Sequence, residues 1–343
     1  MLPAVTALRV VHAIRTEAFA GVERHVCVLA RAQAAAGHRV VVIGGDPQVM
    51  PRELGPEVTF VRARTTLDVV RGLRRWRGAD VVHAHMTAAE AAAALTVSRG
   101  SALVVTRHFA ARRGKSALGR AVSPVIRRRV REQIAISRYV AEHIDGTSTV
   151  VYPGVEPAEG GPGAREQTIL AAQRLEAEKG VDVVLRAFAA SGLGARGWRL
   201  LVVGEGSCQQ ELESLARAEG VASSVDFLGH REDVPAIMGR CSIFVSACPV
   251  EGLGLAVIEA MAAGLPVVTT AAGGHLETVG LTGGRFLFTP GDHAGAAELL
   301  RQLAGDPILR SELGDQLRAL QRERFTPQRQ ERDTTAVYER ALG

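Results

Sequence analysis

Two glutamates bracket a glycine turn in Glu251-Gly-Leu-Gly-Leu-Ala-Val-Ile-Glu259, which continues through an alanine-rich run to Gly264 and Pro266. Gly252 and Gly254, with Leu253 between them and Leu255 after them, stand just before a helical pattern. Glycine at such a place leaves backbone N–H groups unobstructed at the positive end of a helix, the setting that stabilises a diphosphate. An ordinary tight turn accounts for a lone Gly-x-Gly, but the flanking carboxylates need a further reason. Eight helical residues rise roughly 12 Å at 1.5 Å each, beyond the roughly 5 to 9.5 Å over which a hydrolytic carboxylate pair shares one bond. The two glutamates are therefore expected to grip two parts of one extended ligand. A nucleotide sugar, with ribose and hexose on either side of a diphosphate, has those dimensions.

Other residues carry chemistry by type and place. Lysine occurs only at Lys115 and Lys179 among 41 basic residues, so Lys179, in Gln173-Arg-Leu-Glu-Ala-Glu-Lys-Gly180 with Arg174, is unlike filler. Glu205, in Gly204-Glu-Gly206, reads as a helix-start carboxylate or a ligand contact. His83 and His85 read as structural histidines on opposite faces of a strand rather than as metal ligands. His108 stands at the end of a strand, a position that favours function. The four cysteines have no C-x-x-C pairing and read as buried, inert thiols. No metal site is expected. From Arg107 to Arg131 there are nine Lys and Arg residues and no acidic one, interspersed with apolar residues. An anionic membrane surface, an anionic acceptor and a solvated face compete for that stretch. Nucleic acid is disfavoured, because no aromatic stacking platform accompanies the charge.

The elements that must position these groups are α/β. The chain has 343 residues, 47% apolar but only 4% aromatic, so two cores of small side chains are expected. Strands are predicted at Leu8–Ile14, Val40–Ile43, Val58–Val61, Asp80–His83, Ala102–Thr106, Ile134–Ile136 and Val150–Tyr152, with a helix at Gly21–Ala36. A Pro- and Gly-rich linker is predicted at Pro153–Glu166. After it come strands at Thr168–Ala172, Arg199–Val203, Val225–Leu228, Ser242–Val245 and Pro266–Thr269. Helices alternate with these at Val181–Ala190, Gln209–Glu219, Val234–Met238 and Leu255–Ala263, and two more, broken near Thr326 and Pro327, form the tail. No apolar run approaches the roughly 20 residues that span a bilayer, and the start lacks a signal-peptide pattern, so a cytoplasmic protein is expected. The net charge of +5 suits anionic ligands of many kinds and chooses none.

Glu251-x7-Glu259 with Gly252, Gly254, Gly264 and Pro266 resembles the signature of the retaining family 4 glycosyltransferases of GT-B fold, and the resemblance covers nearly the whole chain. It implies two Rossmann-like, doubly wound parallel-sheet domains facing across a cleft. An acceptor-side domain would span 1–153 and a nucleotide-sugar domain 167–325, with a C-terminal helix over 326–343 returning to the first. Arg174 and Lys179 match the family's basic pair for the donor diphosphate. Gly204 and Gly206, and Phe227-Leu-Gly229 with His230 and Arg231, match segments around the nucleoside. Gly273, Gly274 and Glu277 match the Gly-Gly-x-x-Glu loop. Gly21-Val-Glu-Arg24 is similar to the family's Gly-Gly loop, with Ala20 in place of the first glycine, and His108 to its active-site histidine.

By this resemblance Glu251 holds the sugar hydroxyls and Glu259 the ribose. The reaction needs no metal and no cofactor beyond the nucleotide-sugar donor, with a UDP-sugar favoured over a GDP-sugar. The acceptor would be a small molecule, a saccharide or a lipid-linked saccharide, and Arg107–Arg131 would offer peripheral contact at the inner membrane face. A dinucleotide-dependent oxidoreductase fits less well, since Gly204-x-Gly206-x-x-Gln209 lacks the third glycine of that fingerprint. Another GT-B enzyme, an epimerase or phosphorylase, and a non-catalytic nucleotide-sugar binder remain as alternatives.

Overall fold

The computed structural model describes residues 7–16, 19–113, 123–124, 126–158 and 165–343. They form two compact units, one of Met1–Gly154 with Thr326–Gly343 and one of Val155–Phe325.

In unit 1, seven strands run in chain order: β1 (Arg9–Ile14), β2 (Arg39–Ile43), β3 (Thr59–Val61), β4 (Val81–His85), β5 (Ala102–Arg107), β6 (Glu132–Ala135) and β7 (Thr149–Val150). They pair in parallel in the order β3-β2-β1-β4-β5-β6-β7. Parallel strands need crossovers, and helices α1 (Gly21–Ala35), α2 (Thr66–Arg75) and α3 (Thr87–Thr96) supply three of them.

Period-two alternation sends the two faces of this sheet to different cores. Val11, Ala13, Val82, Ala84, Leu103 and Val105 pack beneath α2 and α3. Leu8, Val10, Val81, Ala102 and Val104 pack against the tail helix, which is the last element of the chain (Pro327–Leu342) and presents Val337, Tyr338 and Ala341. The strand order reverses between β1 and β4, and ligands of doubly wound sheets bind beyond the strand ends at such a switch point.

Unit 2 repeats the plan. Strands β8 (Thr168–Ala172), β9 (Arg199–Val203), β10 (Val225–Phe227), β11 (Ile243–Ser246), β12 (Val267–Thr270) and β13 (Leu287–Phe288) form a parallel sheet in the order β10-β9-β8-β11-β12-β13. Its switch point lies between β8 and β11. β13 and a helix at His293–Gly305 are absent from the sequence reading. Among the described residues no helix is long and apolar enough to cross a membrane.

Candidate functional site

The loops that follow β8 and β11, the two strands at the switch point of unit 2, carry Lys179 and Glu251. Lys179 closes a 3-10 turn that Gly180 ends in the left-handed region (φ 66°). Gln173 braces that turn: its Nε2 donates to the Lys179 carbonyl at 3.1 Å, and its Oε1 accepts from the Ser246 hydroxyl at 3.1 Å. Lys179 Nζ then meets Glu251 Oε2 at 2.7 Å, with side chains 17% and 21% exposed. Burial pushes the Glu251 carboxyl upward, but the charge and hydrogen bond of Lys179 outweigh it and hold the group below its ordinary value. A carboxylate and an ammonium 72 residues apart in sequence are thus fixed together at the strand ends.

Beside the pair, Gly254 stands at φ 89° immediately before the helix Leu255–Ala262. A side chain is strained in that conformation, so glycine is required there, and the helix N-terminus opens beside Glu251 with no capping side chain. Because the helix begins only at Leu255, Glu251 lies in the turn ahead of it, and the 12 Å spacing argued for eight helical residues does not hold. Glu259 is half-buried on that helix.

His275, missed in the sequence, completes the surroundings. It is fully buried, and its Nδ1 lies 2.7 Å from the Thr269 hydroxyl. Its Nε2 is sealed from solvent without a hydrogen-bond partner. Burial lowers its pKa to about 4, against the opposing pull of Glu251. The available signal was its place two residues after Gly273, where the Gly274 N–H donates to the Glu251 carbonyl at 2.9 Å.

Other expected residues sit differently. Arg174 pairs with Glu178 at 2.9 Å while 59% exposed, a surface pair of small energetic consequence. Gly206 is required by its neighbour, since a Cβ there would lie 2.3 Å from the Leu175 carbonyl oxygen. Glu205 does not start a helix. Its carboxylate accepts the His230 N–H at 3.3 Å and its N-terminal neighbour Gly204 donates to the Gly229 carbonyl at 2.8 Å, which joins the two segments matched to the nucleoside. Arg231 is exposed and pairs with Asp233 at 2.7 Å.

In unit 1 the inward positions of three neighbouring strands change from apolar to hydrogen-bonding toward the switch point: Val10 then His12, Val81 then His83 and His85, Val104 then Thr106 and His108. His83 and His85 therefore share a face, with ring centroids 4.2 Å apart, because residues two apart on a strand point the same way. The expectation of opposite faces is overturned. His25, from α1, lies edge-on to His108 at 4.7 Å. Burial keeps all five imidazoles neutral, with His12 near 4 and His108 near 3, the latter lowered further by Arg107.

Ring nitrogens of His12, His83 and His85, and of His25, His85 and His108, lie within 4.8 Å of one another, close enough to hold an ion. His83, however, already spends both nitrogens, on Tyr338 Oη at 2.7 Å and Thr106 Oγ1 at 2.6 Å. The next residue after His85, Met86, has φ 73°, a rare conformation for a residue with a side chain and one that gathers at functional sites. Gly21 opens α1 on an exposed turn, where the Glu23 carboxylate takes the Ala20 N–H at 2.9 Å.

The basic stretch divides. Arg107 and Arg113 are buried and interlock with Glu90 and Asp145 at 2.7 to 3.9 Å, so they are structural rather than a free anionic-ligand surface. Arg129 donates to the Val97 carbonyl. Arg127 and Arg128 are exposed, and residues 114–122 and 125 lie outside those described.

Residues 156–319 match the family described as "Glycosyl transferases group 1", and 19–159 match "Glycosyltransferase Family 4". The chain is 32% identical to the glycogen synthase of Mycobacterium tuberculosis, over 84% of this chain and 83% of that one. Among solved structures it is similar to Anabaena HepE in complex with UDP and glucose (TM-score 0.80, 19% identity, 97% and 99% of the two chains). It is also similar to a glycosyltransferase from Rickettsia africae (TM-score 0.79, 19% identity, 98% and 99% of the two chains). Two doubly wound parallel sheets with this likeness define a GT-B fold, and the family matches make the chain a glycosyltransferase. The chain belongs to glycosyltransferase family 4.

Proposed function

We propose that the protein transfers a sugar from a nucleotide-sugar donor, a UDP-sugar in preference to a GDP-sugar, with retention at the anomeric carbon and without a divalent metal. The observation that carries this reading is the Lys179–Glu251 pair beside the uncapped, glycine-opened helix at Leu255. Lys179, Arg174 and the helix N-terminus supply positive charge for a departing diphosphate, the role a metal plays elsewhere. Glu251 takes the sugar hydroxyls and Glu259 the ribose. The UDP and glucose bound to HepE support the donor class, and retention rests on the likeness of Glu251-x7-Glu259 to the family signature.

In the reaction the bond from the anomeric carbon to the phosphate oxygen breaks as the acceptor oxygen attacks from the same face. The departing phosphate oxygen takes the acceptor's proton, so the protein contributes orientation and charge. The acceptor is a small molecule, a saccharide or a lipid-linked saccharide, and the exposed Arg127 and Arg128 of unit 1 favour one with an anionic group, including peripheral contact with an anionic membrane.

The test is a panel of UDP- and GDP-sugars with excess chelator, following release of the nucleoside diphosphate and the proton coupling at the new glycosidic carbon. Turnover in chelator with the donor's anomeric configuration is expected. Activity lost in chelator and restored by magnesium or manganese, or an inverted product, would overturn the reading.

A further inference from the structure

The buried imidazoles of unit 1 form a chain whose donors and acceptors can be deduced. A neutral imidazole has one N–H and one lone pair, so a hydrogen bond at one nitrogen fixes the role of the other. With the Gln33 amide turned as it is here, its Oε1, an acceptor only, lies 2.7 Å from His12 Nε2, and that nitrogen carries the proton. His12 Nδ1 must then accept, and its partner at 3.1 Å is His85 Nε2. His85 Nδ1 accepts in turn from His108 Nε2 at 3.1 Å. The remaining nitrogen, His108 Nδ1, keeps its lone pair and has no hydrogen-bond partner among the described residues.

On its other side Gln33 meets the tail helix. Gln33 Nε2 donates to Tyr338 Oη at 3.2 Å, Tyr338 donates to His83 Nδ1 at 2.7 Å, and His83 Nε2 donates to Thr106 at 2.6 Å. Every partner in this second branch is satisfied with Gln33 as it stands. Turning the Gln33 amide over would reverse every donor in both branches and put a proton on His108 Nδ1, so the chain has two self-consistent polarities and Gln33 selects between them.

We infer that Gln33 and Tyr338 are positioning residues that hold His108 in its Nε2–H tautomer through His12 and His85, so that Nδ1 accepts a hydrogen bond from a hydroxyl of the bound saccharide. The glycosyl-transfer reading enters only in the identity of that hydroxyl. Burial makes His108 a weak base, which suits a group that orients a hydroxyl while a phosphate oxygen takes the proton. The same full use of nitrogens argues against an ion among His12, His83 and His85, since His83 could reach one only by giving up one of its two hydrogen bonds.

The chain's polarity can be read by NMR of full-length protein with nitrogen-labelled histidine, where protonated and unprotonated ring nitrogens have separate shifts, the His108 signals being assigned by their loss in His108→Gln. The expected result is Nε2–H on His12, His85 and His108. Tyr338→Phe and Gln33→Leu should shift the His108 tautomer ratio about tenfold toward Nδ1–H, the scale of one hydrogen bond. Both should lower kcat with donor KM little changed. His108 protonated on Nδ1 in the unaltered protein, or an unchanged ratio in a folded variant, would overturn the proposal. So would a stoichiometric metal bound to these histidines on elemental analysis, or unaltered transfer by His108→Ala. Absence of turnover with every nucleotide sugar would refute the proposed function while the tautomer result stands on its own.

Discussion

Lys179→Ala separates the charge argument from a packing argument. Both side chains of the Lys179–Glu251 pair are more than three-quarters shielded, and at 2.7 Å the contact is a charge-assisted hydrogen bond. Removing the lysine leaves the Glu251 carboxylate without its counter-charge. Breaking a fully buried pair costs about 3 to 5 kcal/mol, and the remaining exposure reduces this to about 1 to 3 kcal/mol at neutral pH.

The pH dependence follows with a definite sign. In the unaltered protein Glu251 is held below its unfolded value, so its contribution is complete above the unfolded pKa and fades as pH falls through the folded one. In the variant burial, the largest influence, is opposed only by the lesser pulls of His275 and the Cys248 thiol, so the group is raised, and its contribution is complete below the unfolded pKa and is lost as pH rises through the folded one. The stability gap between the two proteins should therefore widen from about pH 4 to about pH 7. Urea unfolding across that range measures it. Turnover should fall by at least about a hundredfold, the effect of losing one preorganised contact to a developing charge. A gap independent of pH, or near-normal turnover in the folded variant, would refute this reasoning.

Glu251→Gln should chiefly lower kcat, because contacts to the sugar tighten as its anomeric carbon gains positive charge, whereas Glu259→Gln should chiefly raise the donor KM; identical kinetic defects would undo that division. Asp145→Asn should destabilise the fold by about 3 kcal/mol at neutral pH, since it breaks the buried Arg107–Arg113 network. Hydrogen bonds from Arg113 and Arg107 overcome burial to hold Asp145 below the carboxylate range, so the difference should shrink only at strongly acid pH; thermal melts that converge near neutrality would contradict this. Arg127→Gln with Arg128→Gln should leave donor hydrolysis intact while weakening transfer to an anionic acceptor, and equal losses in both reactions would point to a structural role.

The alternation of strands and helices was legible because strands buried on both faces read as β-branched runs, as in Val40–Ile43 and Val267–Thr270. β13 has two residues and no period to detect. The helix at His293–Gly305 did leave a signal, an Asp292 carboxylate that accepts the Gly295 N–H ahead of Ala296, Ala297, Leu300 and Leu303. Glu251 and Lys179 could be selected singly, one for its glycine context and one for its rarity, but their contact needs Gln173 and Ser246 to tie two strand ends together.

The histidine chain was hidden for a different reason. His12 on β1 and His85 on β4 each read alone as an ordinary buried histidine, and His108, one residue past β5, was singled out without its partners. Only the register, which pairs His12 with His83 and His85 with Thr106, aligns their hydrogen-bonding positions. The residues that set the chain's direction are more remote still: Gln33 sits on a helix and Tyr338 five residues from the end of the chain. A carboxy-terminal helix that supplied apolar cover alone would place leucine or phenylalanine at position 338. A fully buried tyrosine with two hydrogen-bonding partners instead ties the last turns of the chain to the protonation pattern of the switch point.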